Sequence, residues 1–119
     1  NSLSGTNASG DLVITADSGT DTSNYVNLGI NNSGFSTSSW TISGPLDGYL
    51  YTSDGNLAIG AGASEKYISL FAGGTLAVNE VVRVSDLGVG IYTTDPQAAL
   101  HVSGDGIFTG IVTAGSFSG

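Results

Sequence analysis

The chain contains no cysteine, no methionine, two prolines and a single basic pair, Lys66 and Arg83, against ten carboxylates. Without cysteine there are no disulfide staples, no thiolate metal sites and no thiol chemistry. The formal net charge of −8 makes an acidic surface that repels phosphate backbones, and no basic patch reverses it locally, so nucleic acid is excluded as a partner. The same charge disfavours anionic membranes, and no apolar run reaches the length of a transmembrane helix, so no membrane insertion is expected. Heptad patterning is missing too, so any trimer is not a helical zipper. No nucleophile elbow or comparable catalytic signature occurs. The sequence therefore reads as a non-enzyme that needs no cofactor.

Charged residues are only 10% of the 119 positions and hydrophobic ones 39%. The polar remainder is mostly Gly, Ser, Thr and Asn, a balance that favours an all-β fold over a helical one. Apolar residues recur in short patterned groups, which argues against a disordered chain. Strands are predicted at Leu12-Val13-Ile14-Thr15, at Tyr25-Val26-Asn27-Leu28-Gly29-Ile30 and around Trp40-Thr41-Ile42. Gly48-Tyr49-Leu50-Tyr51-Thr52 and Asn56-Leu57-Ala58-Ile59-Gly60 flank Ser53-Asp54-Gly55 and predict a β-hairpin, because Asp-Gly accepts the positive φ of a tight turn. Residues 67–72 and 80–84 supply further strands, and Asp95-Pro96 could start one turn of helix up to Leu100. About eight short strands at roughly ten-residue intervals predict a compact antiparallel β-sandwich or small barrel. A short β-rich chain without disulfides gains stability from oligomerisation. The Ala-x-Ser-Phe pattern that stops at Phe117-Ser118-Gly119, and the missing initiator Met, predict a segment of a longer chain.

From Leu87 the character changes. Leu87-Gly88-Val89-Gly90-Ile91-Tyr92-Thr93-Thr94-Asp95-Pro96 runs into Ala99-Leu100-His101-Val102-Ser103-Gly104, and glycines recur to the end. This unit resembles the Gly-Ile-Gly-Thr-Thr-x-Pro-x-x-x-Leu-x-Val stretch of tail fibres and related virion proteins of tailed bacteriophages. Residues 10–17, 25–31, 47–51 and 71–83 are similar to fibre-like proteins of phages infecting marine cyanobacteria. Ile91-Tyr92 departs from the motif, where glycine and threonine are common. In some relatives the motif precedes a self-cleaving chaperone domain, and nothing matching it stands in this sequence, so no autoproteolysis is inferred. The resemblance implies a homotrimeric tail-fibre or virion-appendage component that contributes to host-surface attachment and is located on the virion. Other virion proteins and host-surface glycans would be its partners besides itself. The expected organisation is a linker (1–10), a compact β-domain (11–86) and a glycine-rich shaft (87–119). In the shaft, Val89, Ile91, Leu100, Val102, Ile107, Phe108, Ile111, Val112 and Phe117 would form the trimer interface.

Two other functions fit the residues, a carbohydrate-binding module and a capsid-decorating or neck protein that binds other virion components. Trp40, Tyr49, Tyr51 and Tyr25 could stack on sugar rings, or they could be core. Tyr49 and Tyr51 share one strand face and Leu50 the other. Leu50 is expected to point inward, with the tyrosines towards solvent or a neighbouring subunit. Asp17, Asp21 and Asn24 group hard oxygen donors, but their spacing does not match an EF-hand and suits ordinary turns, so no metal is expected there. His101 is expected opposite Leu100 and Val102, at the surface or an interface. Lys66 and Arg83 are expected to pair with carboxylates across strands or subunits.

Overall fold

A computed structural model describes residues 4–119. Regular structure is nearly all strand, with one turn of 3-10 helix at Ala77–Asn79. The chain clusters into two compact units that divide between Ala58 and Ile59.

In the first unit, β1 (Ser9–Thr20), β2 (Ser23–Asn31) and β3 (Gly48–Thr52) form an antiparallel sheet in the order β1-β2-β3. The strand predicted at residues 12–15 extends at both ends, and Ser9 and Gly10 of the expected linker already pair with Asn31 and Ile30. The preceding carbonyls are also held. Gly5 accepts from Asn32 Nδ2 at 2.8 Å, and Ala8 and Thr6 accept from the backbone N–H groups of Asn32 and Ser36 at 3.0 and 2.7 Å. Residues 1–3 of that expected linker lie outside the described residues.

The hairpin predicted around Asp54 does not form. β3 pairs with β2, matching Leu28 to Leu50 and Asn27 to Tyr51, while residues 56–60 contain no strand. Ser53 and Asp54 instead bind back to β2. Tyr25 and Ser53 exchange hydrogen bonds of 3.0 Å, and the Asp54 carboxylate accepts from the Asn24 N–H at 2.5 Å. Gly55 does not take the positive φ that a tight hairpin turn needs, and the open edge of β2 offered β3 a strand partner instead. No strand forms at Trp40-Thr41-Ile42. That segment belongs to the loop 32–47 connecting β2 to β3, pinned by Asn31 Nδ2 donating to the Gly44 carbonyl at 2.9 Å.

The second unit carries β4 (Tyr67–Phe71), β5 (Glu80–Ser85), β6 (Gly88–Ile91) and β7 (Leu100–Val102) in the order β4-β5-β6-β7. The first three are antiparallel, and β7 lies parallel to β6. The shaft boundary expected at 86/87 therefore falls between two strands that pair with each other. Residues 92–99 make the crossover, without the helical turn predicted from Asp95. The Gly-Val-Gly-Ile motif has a direct physical reading here. A Cβ on Gly90 would stand 2.5 Å from the Thr93 carbonyl oxygen, and one on Gly88 2.6 Å from that of Ala98. Glycine on one face of β6 lets the crossover lie flat against the backbone, and Val89 and Ile91 are left for the other face.

Each unit holds a single open sheet, so neither is by itself the sandwich or barrel that the strand spacing predicted. Residues 103–119 are exposed throughout and contain no strand. Among the described residues, Phe35 is the only large hydrophobic side chain that is buried.

Candidate functional site

The sheet of the first unit has two very different faces. Alternation places Tyr25, Asn27, Gly29 and Asn31 of β2 on one side with Tyr49 and Tyr51 of β3. The loop 32–47 covers this side. Trp40 lies 5.4 Å from Tyr49 in a tilted arrangement and 4.9 Å from Tyr51 edge-on. Tyr25 meets Tyr51 edge-on at 6.1 Å. The Trp40 indole N–H donates to Ser43 Oγ at 2.7 Å, which also accepts from Asn31 Nδ2 at 3.0 Å. All four predicted sugar-platform residues are therefore brought together, but largely against one another and Phe35.

The space among them is a cavity of about 120 Å³ lined also by Ser9, Asn27 and Asn31. That is room for roughly four waters, against the roughly 300 Å³ at which small-molecule pockets begin. Asn27 Oδ1 is buried beside it without a hydrogen-bond partner. Asp11, Gly29 and Tyr49 fall in one cross-strand row, and the Tyr49 hydroxyl donates to Asp11 over the glycine. Desolvation pushes the Asp11 carboxyl up, but hydrogen bonds from Ser9, Tyr49 and Asn27 outweigh it and hold its pKa below the ordinary 3.8. Desolvation and the bond to Asp11 raise the Tyr49 hydroxyl above 10.0. The arrangement is a polar bridge at the exposed rim of a half-buried aromatic cluster.

The opposite face corrects the expectation for Leu50. It carries three rows in register, Gly10–Ile30–Gly48, Leu12–Leu28–Leu50 and Ile14–Val26–Thr52. None of these residues is charged or covered by the loop. Leu12, Ile14, Leu28, Ile30 and Leu50 are 60%, 62%, 56%, 51% and 47% exposed. The alternation was legible, but the inner and outer faces are reversed, because the aromatic side is the one the loop closes over.

The second sheet repeats the pattern. Ile68–Val84–Val89–Leu100 and Leu70–Val82–Ile91–Val102 make two aliphatic rows on one face, with Leu70, Val84, Leu100 and Val102 exposed. Four expected interface residues, Val89, Ile91, Leu100 and Val102, thus share a face. The other five lie in the strandless tail, where Ile107 and Ile111 are 92% and 95% exposed and Phe108, Val112 and Phe117 are also exposed. The reverse face holds Arg83, whose guanidinium sits 3.6 Å over the Tyr67 ring and pairs with Glu80 at 2.9 and 3.2 Å. This partner is local rather than cross-strand, because the register shifts between Leu70 and Phe71. The Ser69 hydroxyl and then Arg83 hold the Glu80 carboxyl below 4.5. His101 stands opposite Leu100 and Val102 as expected from the alternation, its Nδ1 accepting from the Gln97 N–H at 3.3 Å.

Asp17 and Asn24 lie at a bulge of β1. Residues 16–19 stand against Asn24 alone, Asp17 accepts from the Ser18 N–H at 2.9 Å, and Asn24 adopts a φ of 53°. Asp21 occupies the β1–β2 turn. Among the described residues no three His, Cys, Asp or Glu side chains converge as metal ligands. Sequence reading missed Asn31 and Asn32, both buried, whose side chains tie the loop and the N-terminal segment to the sheet. Their only signal was an Asn pair at the end of an alternating run. No protein-family model and no curated protein matches this chain.

Proposed function

We propose that this chain is a structural segment of a phage tail fibre or similar virion appendage, works as a homotrimer and contributes to attachment at the host surface. It is an assembly element and not an enzyme. The phage reading rests on the resemblance of residues 87–104 to fibre proteins. The observation that carries the assembly reading is exposed surface. Leu12, Ile14, Leu28, Ile30 and Leu50 on the first sheet and Leu70, Val84, Leu100 and Val102 on the second are aliphatic side chains left exposed on strand faces, where a monomeric β-domain would bury them.

The energetics point the same way. Covering five half-exposed aliphatic side chains of the first sheet would contribute about 5 kcal/mol per chain, as an upper figure. That is comparable with the whole stability of a small domain and is set against about 4–15 kcal/mol of translational and rotational freedom that association costs. Strands would then meet strands between chains, supplying the second layer that each open sheet lacks. The glycine-rich residues 103–119, with apolar side chains and nothing of their own chain to bury them, would wind with their counterparts as the shaft.

The test is solution mass by light scattering on the full chain and on a chain ending at Ser103, which keeps both sheets. A trimer is expected for the full chain. A trimer that survives the truncation places assembly in the sheets, one that dissociates places it in the tail, and a folded monomer for the full chain overturns the reading.

A further inference from the structure

Given the homotrimeric reading above, we infer that the uncharged face of the first sheet, centred on Leu12, Leu28 and Leu50, packs against the same face of the other copies around a common axis. This surface lies outside the segment from which sequence patterning nominated an interface.

The occupant is a second copy of this chain for reasons of charge, shape and repetition. A chain with a net charge of −8 repels its own copies wherever acidic surfaces meet. The rows Gly10–Ile30–Gly48, Leu12–Leu28–Leu50 and Ile14–Val26–Thr52 carry no charge, so contact there escapes that repulsion. The shape is self-complementary. Ile30 is a ridge between two positions without side chains, and the leucine row beside it can seat where a neighbour's glycines leave room. Around a three-fold axis each face lies towards the axis and meets both neighbours through heterologous contacts, so one apolar face per chain closes the ring. The second sheet bears its own two aliphatic rows, so copies of one chain meet the need of both faces by symmetry, where a foreign partner would have to match each separately.

The absence of any thiol makes the test clean. Leu28→Cys places one thiol at the centre of the face, and Val13→Cys places one on the opposite side of the same sheet. Each full-length variant is treated with a short bis-maleimide and read on a denaturing gel, beside the light-scattering mass of the unlabelled protein. The expected result is a trimer in which Leu28→Cys yields covalent dimers and Val13→Cys stays monomeric on the gel. Leu28→Asp is expected to lower the mass from three chains to one. If Leu28→Asp fails to fold, the cysteine pair still decides. A wild-type trimer in which Leu28→Cys does not cross-link, or Val13→Cys does so equally, overturns this interface and leaves the trimeric reading intact. A wild-type monomer overturns both.

Discussion

Gly29 occupies the middle of the central strand because two side chains cross above it. A Cβ there would stand 2.5 Å from Tyr49 Cζ and collide with the Asp11 carboxylate. Gly29→Val should break the Asp11–Tyr49 bond and cost about 1–3 kcal/mol, seen as a lower melting temperature, while the same change at the open position Gly55 should cost little. Tyr92 presents the reverse case. Its φ of 55° is a left-handed conformation that costs a side-chain-bearing residue about 1–2 kcal/mol. Tyr92→Gly relieves that cost, offset in part by the greater unfolded-state freedom of glycine, so the melting temperature should hold or rise. The pH dependence also belongs to single residues. Asp11, Asp54 and Glu80 are all held below their ordinary 3.8, 3.8 and 4.5. A depressed carboxylate stabilises the fold above its unfolded pKa, and that contribution is lost as pH falls through the folded value. The melting temperature should therefore be flat near neutrality and fall below about pH 4, and Asp11→Asn should flatten part of that acid limb.

At the scale of elements, the loop 32–47 decides which face of the first sheet is inside. Asn31 Nδ2 reaches the Gly44 carbonyl and Ser43 Oγ, and Asn32 holds the N-terminal carbonyls. These bonds bring Trp40 and Phe35 down onto the tyrosines. Asn31→Ala removes two of them and leaves the half-buried Gly44 carbonyl with only the Asp47 N–H, at a cost of about 1 kcal/mol. Tryptophan fluorescence should then shift to the red and amide exchange should rise in residues 40–47, with the strands less affected. The β6–β7 pair follows a related logic. A short parallel connection needs the crossover to hug the sheet, and the glycine face of β6 allows that approach.

For the whole molecule, the proposed trimer sets aliphatic burial against like charge. Copies bearing a net −8 repel over a Debye length of about 10 Å at 0.1 M salt, and less at higher salt. Trimer formation should therefore strengthen as sodium chloride rises from roughly 0.02 to 0.5 M, read as a lower dissociation midpoint on dilution. A salt bridge-driven interface would show the opposite slope. Kosmotropic salts should strengthen it further, because the proposed interface is held by apolar burial.

The sequence by itself determined that the chain is β-rich, where β2 to β5 fall to within a few residues, and which side chains share a face. Those follow from period-2 alternation and β-branched runs, which are local properties. Tertiary structure alone decided that β3 joins β2 instead of folding onto residues 56–60, because pairing is a competition among strand edges that local turn residues do not settle. It also decided that Leu12, Leu28 and Leu50 face outward while Trp40 and the tyrosines pack inward. Alternation separates two faces but carries no sign, and only the closure of the loop over one of them assigns inside and outside.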